Sequence, residues 1–119
     1  MSSCAVESEF RRCRGWLLPA LREDTEERVL AELMAGRAQL WPGKRAAFVT
    51  QLAIGDEPYI LVWLAGGDLR ELLAMQPGIE AWARAQGAAA AWINGRKGWA
   101  RALGKTGFEP RDGELRKAL

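Results

Sequence analysis

The stretch YILVWLAGGDLRELL, residues 59–73, decides the fold that we expect for this chain. Its first part, Tyr59–Ala65, is continuously apolar and rich in β-branched and aromatic side chains, which is typical of a central strand covered on both faces. Two glycines end the strand, and Asp68 with Glu71 has the spacing of a helix N-terminal capping box. Ala89–Ile93 follows the helix as a further short strand. A strand, a helix and a strand in this order predict a right-handed crossover between two parallel strands.

The segments on either side of this unit extend the same domain. We expect one α/β domain over residues 1–119, an α+β arrangement around a mixed sheet. It has antiparallel N-terminal strands, a parallel βαβ splay and helices on both faces. Pro77 with Gly78 predicts a kink or break near Met75 in the helix after the central strand. Three further helices are predicted, over Glu7–Leu18, from Asp24 or Thr25 to Gly36, and over Lys97–Lys105. Three further strands are predicted, over Ala38–Trp41, over Ala46–Ile54, and from Gly107 onward. Leu115–Leu119 either continues the last strand or frays.

Composition excludes several classes of protein and site. The chain has 119 residues and 13.2 kDa, the usual size of a single domain. It has no histidine, which removes the usual imidazole general base and every His-ligated metal site. No apolar run approaches the ~20 residues that span a bilayer, and no secretory signal is recognisable. Cys4 and Cys13 are too few and too close together for a disulfide framework. We therefore expect no membrane partner, no metal and a reducing cytoplasm.

Positive charge is concentrated at the C-terminal end. Residues 95–119 carry seven Lys/Arg and three Asp/Glu, whereas residues 55–94 carry two and five. Basic residues at steps of four share one face of the predicted last helix, and a further arginine follows the strand Ala89–Ile93, where ligands bind in open α/β sheets. This face is predicted to contact nucleic-acid phosphates or an acidic partner, or else to be a solvated face paired with nearby acids. The residues are Arg96, Lys97, Arg101 and Lys105.

Tryptophan is frequent in this sequence. It holds six Trp residues, of which those on the predicted strands and helices are expected in the core. Trp41, just before Pro42-Gly43, is the one predicted to be exposed, and an exposed Trp there would indicate a protein interface.

Lys105-Thr106-Gly107-Phe108, together with the order of elements, resembles the GNAT acetyltransferase superfamily, whose members commonly have Lys-x-Gly-Phe before the last strands. Over Trp63–Phe108 the chain is more specifically similar to small GNAT-like proteins encoded among phage and prophage structural genes. The stretches that carry this likeness are Trp63–Leu69, Ile79–Ala83 and Gly95–Leu103.

The resemblance implies a site for acetyl-CoA. The cofactor would lie in the splay between the strands Tyr59–Ala65 and Ala89–Ile93. The thioester carbonyl would meet a backbone N–H near Leu64, and the phosphates would meet the amides of Gly66 and Gly67 and the side chain of Arg96.

Three departures from the family pattern weaken that site. The phosphate-binding loop is reduced to Ala65–Asp68, which lacks a basic residue and equally fits a plain strand-to-helix turn with an Asp cap. The position of the family's general-acid Tyr is Leu103, which has no proton to donate. No base flanks the expected thioester position, since Glu57 lies in the hairpin turn and Tyr59 begins the central strand. No catalytic residue is therefore assigned.

Three functions follow from these observations. The first is a phage or prophage GNAT-like protein with a degenerate acetyl-CoA site, which acts in the virion or in assembly through contacts with other phage structural proteins or with itself. It would reside in the cytoplasm of the bacterial host or in the virion. The second is an active minimal N-acetyltransferase that uses acetyl-CoA. The third is a nucleic-acid-binding module that uses the Arg96–Lys105 face; substituting Lys97 and Arg101 would then flatten the salt dependence of binding.

Overall fold

The centre of the molecule is a mixed sheet with α-helices on both faces. The computed structural model describes residues 3–21, 23–94, 102 and 104–119, and in this part six strands form the sheet. Short 3-10 helices follow α1 and precede β5, at Leu18–Ala20 and Gly104–Thr106. The α-helices with described bounds are α1 Ser3–Leu17, α2 Glu26–Met34 and α3 Leu69–Ala85, and the strands are β1 Gln39–Pro42, β2 Ala46–Ile54, β3 Pro58–Gly67, β4 Ala90–Ile93, β5 Glu109–Arg111 and β6 Glu114–Ala118.

The strands are arranged in the order β1-β2-β3-β4-β6-β5. β1, β2 and β3 are antiparallel neighbours, and so are β4, β6 and β5. β3 and β4 are parallel, with Tyr59 opposite Ala90 and Val62 opposite Ile93. The expected mixed sheet, with antiparallel N-terminal strands and a parallel βαβ unit, is confirmed, and the molecule is an α+β domain.

Each face of the sheet buries its own apolar cluster. On one face, α3 packs Leu72, Ile79 and Ala83 over the central strands. On the other face, α1 and α2 supply the buried side chains Phe10, Cys13, Leu17, Val29 and Leu33. β2 and β3 contribute side chains to both clusters: Ala46, Phe48, Ile60, Val62 and Ala65 to the first, and Ala47, Val49 and Leu64 to the second.

A β-bulge interrupts the central strand at Trp63. Val49 is opposite Leu64 but Thr50 is opposite Val62, so Trp63 is one extra residue in β3. The extra residue reverses the alternation of the strand. Val62 therefore faces α3, whereas Leu64 faces α1 and α2.

The C-terminal end differs from the sequence prediction of one last strand. β5 and β6 form a hairpin around Asp112-Gly113, where φ is 53° and 79°. Positive φ at both central residues is what a type I′ hairpin turn requires, and Asp-Gly is a preferred pair for it. The Asp-Gly pair in the sequence therefore indicates this hairpin, and the prediction of a single last strand was wrong.

Of the predicted kink or break near Met75, the break does not occur, because α3 continues through Pro77 as one helix. Proline inside a helix removes one hydrogen bond and costs about 3 kcal/mol. Gln76, Ile79 and Glu80, which lie on either side of the proline, are buried on the inner side of this helix, and their packing opposes that loss. Leu69, the first residue of the helix, is 44% exposed.

Trp41 is half-buried, so the prediction of an exposed side chain there was wrong. Its ring meets Trp82 of α3 edge-on, with centroids 5.3 Å apart. Its indole N–H donates to Thr50 Oγ1 at 2.9 Å. Both contacts come from elements that the local sequence does not reveal, and they turn the indole inward.

Candidate functional site

The predicted phosphate-binding turn is a direct junction of strand and helix. β3 extends through Gly67 and α3 begins at Leu69, so Asp68 alone lies between them. The Asp68 carboxylate accepts the backbone N–H of Glu71 at 3.1 Å, which confirms it as the N-cap. The Asp68 N–H donates to the Arg45 carbonyl at 2.9 Å. The N-terminus of α3 therefore carries a carboxylate of its own, which would repel a pyrophosphate.

Gly66 and Gly67 are explained by close packing within the protein. A Cβ at Gly66 would overlap the carbonyl oxygen of Trp16 at the end of α1. A Cβ at Gly67, where φ is +105°, would overlap the carbonyl oxygen of Arg45.

The capping box at the start of α3 is incomplete, because the Glu71 carboxylate accepts the N–H of Arg45 at 3.0 Å instead of that of Asp68.

The other predicted cofactor and partner residues are only partly within the described chain. Leu64 is buried against α1 and lies beyond the end of β4, whose Ile93 is opposite Val62. Lys105 is exposed on the second 3-10 helix. The remaining members of the basic face, Arg96, Lys97 and Arg101, lie outside the described residues, as does Leu103.

A cavity of about 440 Å³ opens on the sheet face opposite α3. Leu61 alternates with Ile60 and Val62, whose side chains pack beneath α3, so Leu61 faces the cavity side. Its parallel-strand neighbour Trp92 lies beside it. The residues that line the cavity are Gly55, Asp56, Glu57, Tyr59, Leu61, Trp92, Arg111, Asp112 and Glu114.

Two hairpins supply the polar rim of this cavity. The β2–β3 turn contributes Asp56 and Glu57, and the β5–β6 hairpin contributes Arg111, Asp112 and Glu114. The parallel pair β3–β4 forms the floor between them, because the sheet order places β3 and β4 side by side at its centre. The cavity therefore brings together two turns that are more than fifty residues apart in sequence.

Carboxylates dominate the charge of the rim. Glu57 accepts from Nε and Nη2 of Arg116 at 2.8 and 2.6 Å, and both side chains are half-buried. In the described part of the chain, Asp56, Asp112 and Glu114 form no ion pair. The rim and its neighbour Arg116 thus hold four acids, Asp56, Glu57, Asp112 and Glu114, and two arginines, Arg111 and Arg116. The excess of negative charge favours a cationic group over an anion.

A second polar cluster lies between α3 and the C-terminal strands. Gln76 Nε2 donates to Glu80 at 2.9 Å and to Thr106 at 2.7 Å. Glu80 is 6% exposed and pairs with Lys117 at 2.8 Å. Lys117 Nζ also lies 5.8 Å from the centre of the Phe108 ring. These contacts hold the second 3-10 helix and β6 to α3, and their role is structural.

The buried cysteine, Cys13, is not an activated thiol. Cys13 is buried, and burial raises the pKa of its thiol above the ordinary value while Arg12 opposes that rise.

Within the described residues no group of three His, Cys, Asp or Glu side chains is placed to hold a metal ion. No helix of the described chain has the length and apolarity needed to cross a membrane.

The sequence prediction named only part of this cavity. It placed Glu57 in the hairpin turn and Tyr59 at the start of the central strand, and the structure places both in the cavity lining. It missed Arg111, Asp112 and Glu114, because it did not recognise the β5–β6 hairpin. The Asp112-Gly113 pair was the available signal.

No protein-family model, curated protein or solved structure matches this chain. What the molecule itself shows is an α+β domain with a mixed sheet, a strand-to-helix junction capped by Asp68, and an acidic cavity with an aromatic and apolar floor.

Proposed function

We propose that this chain is a GNAT-like protein of phage or prophage origin that acts in the virion or in assembly through protein contacts, without acetyl-CoA. The observation that carries the proposal is the junction at Gly67-Asp68. A pyrophosphate needs free backbone N–H groups at a helix N-terminus. Here the N–H groups of Asp68 and Glu71 already have partners within the chain, and the cap is an anion.

The arrangement of elements supports the GNAT-like part of the proposal. The parallel pair β3–β4 is joined through α3 and is flanked by antiparallel strands on both sides. Lys105–Phe108 lies directly before the last two strands, as the family resemblance implies. Leu103 at the position of the family's general acid supports the loss of catalysis.

One edge of the sheet supports a role in protein contacts. Thr50 is the last residue of β2 with a partner in β1, so in the described chain residues 51–54 have no strand on that side. Leu52 and Ile54 lie on this segment and are 37% and 83% exposed. An open strand edge that carries apolar side chains favours pairing with another chain.

A specific feature favours the alternative, an active N-acetyltransferase. β3 continues for five residues after Val62, whereas β4 ends at Ile93. From Trp63 onward β3 therefore lacks a β4 partner among the described residues, and the bulge reorients the backbone there. This opening is where the family resemblance implies the cofactor.

Thermal unfolding with and without millimolar acetyl-CoA separates the two functions. A ligand of the native state raises its stability by about 2.7 kcal/mol at a hundredfold excess over the dissociation constant. We expect no shift of the unfolding temperature for the natural chain. The variant Asp68→Asn keeps the helix cap and removes its charge. If acetyl-CoA raises the unfolding temperature of the natural chain, and raises it further in Asp68→Asn, this proposal is wrong and the chain is an active N-acetyltransferase.

A further inference from the structure

We propose that the cavity between the β2–β3 turn and the β5–β6 hairpin binds a cationic group, an ammonium or a guanidinium. The inference does not depend on whether acetyl-CoA binds to the chain. It rests on three features of the cavity, which are its aromatic and apolar floor, its unpaired carboxylates and the contact that Arg116 makes at its edge.

The floor of the cavity suits the apolar part of such a ligand. Leu61 and Trp92 are directly paired on neighbouring strands, and Tyr59 lies two residues before Leu61 on the same face. All three side chains are half-buried. The face of an indole or phenol ring attracts a cation through its quadrupole, and the cavity volume of about 440 Å³ lies within the range of small-ligand sites.

The rim supplies the charge that a cation needs. Glu114 is half-buried on β6 and forms no ion pair in the described part of the chain. It lies opposite Arg111 in the hairpin, but the two side chains do not pair. Asp56 approaches from the other hairpin, so a ligand between the two hairpins meets carboxylates on both sides.

Arg116 shows that this part of the sheet already accommodates a guanidinium. It is opposite Trp92 in the β4–β6 register and reaches across to Glu57 with two N–H groups. Arg116 therefore lies beside an aromatic residue and donates to a carboxylate. We assign the same two contacts to the ligand, which would donate to Glu114 and Asp56 where Arg116 donates to Glu57.

Two sources present this chemistry, a free polyamine and a basic side chain of a partner protein. Spermidine is the probe for the first, and N-acetyl-arginine amide is the probe for the second. N-acetyl-citrulline amide, a neutral compound of nearly the same shape, is the control for charge. Binding to the full chain is measured by isothermal titration calorimetry at low and at moderate salt.

We expect at least one cationic probe to bind and the citrulline compound not to bind. Glu114→Gln should weaken binding about tenfold, the loss of one charge-assisted contact. The matched control is Glu27→Gln on α2, an exposed acid far from the cavity in sequence and element, and it should leave the affinity unchanged.

Spermidine binding alone assigns a free polyamine, and binding of the arginine compound assigns a protein side chain. Equal losses in Glu114→Gln and Glu27→Gln would show general attraction to an acidic surface and would overturn the site. Equal binding of the arginine and citrulline compounds, or no binding of either cation to a folded chain, would also overturn it. The acetyl-CoA measurement is independent of all these outcomes.

Discussion

Gly66 and Gly78 lie in opposite surroundings, although both belong to regular secondary structure. A Cβ at Gly66 in β3 would overlap a backbone carbonyl of α1, whereas a Cβ at Gly78 in α3 has nothing within 4 Å. Gly66→Ala should lower the free energy of unfolding by about 1–3 kcal/mol, because the carbonyl moves only with its helix. Gly78→Ala should raise it by about 0.5–1 kcal/mol, because alanine restricts the unfolded chain and suits a helix.

Urea denaturation of the two variants measures both changes. If the two substitutions change the free energy of unfolding equally, the prediction is wrong. The close approach of α1 to β3 would then not require a glycine at position 66.

Single residues at helix ends were predicted well from the sequence. Thr25 caps α2 and Asp68 caps α3, and Gly36 and Gly87 follow the two helices with φ of 77° and 93°. These positions depend on backbone groups a few residues away, so local sequence is sufficient to specify them. The exposure of Trp41 was predicted wrongly, because its partners Thr50 and Trp82 come from other elements.

At the scale of elements, the ion pair Lys117–Glu80 links β6 to α3. Lys117→Met should destabilise the fold by about 3–5 kcal/mol, because it leaves the buried Glu80 carboxylate without its cation. Adding Glu80→Leu to that variant should recover most of the loss. Breaking the exposed pair Arg11–Glu7 with Arg11→Met should leave the free energy of unfolding nearly unchanged, because solvent screens that pair.

A double-mutant cycle in chemical denaturation tests this assignment. Additive losses in the double variant would contradict it, because they would mean that Lys117 contributes through packing and not through its charge.

The elements themselves were predictable where their signals are local. β2 begins and ends where the alternation of its sequence indicates, at Ala46 and Ile54. The bulge at Trp63 has no local signal, because it is defined by the register of two strands. The β5–β6 hairpin had a signal in Asp112-Gly113, and its omission removed three residues of the cavity from the predicted site.

At the scale of the whole molecule, two apolar clusters lie on opposite faces of one sheet. Phe48 faces the first cluster and Val49 faces the second, although they are neighbours in β2. Loss of either cluster therefore removes support from the strands that form the other. We expect one cooperative unfolding transition, with tryptophan fluorescence and far-ultraviolet circular dichroism giving the same midpoint.

Two separate midpoints would contradict that expectation. They would indicate that α1 and α2 leave the sheet before the face beneath α3 unfolds, since α1 carries Trp16 and packs beside Trp63.

The sequence by itself determined the helix caps, the periodicity of each element, the parallel βαβ unit and the absence of imidazole chemistry. These follow from residue type and from spacing over a few positions. Only the tertiary structure decided that Gly66 and Gly67 serve close packing, that Trp63 is a bulge and that Glu57, Trp92 and Glu114 share a cavity. The physical reason is distance along the chain: each of these features forms between segments whose register is set by sheet pairing and core packing, not by neighbouring residues.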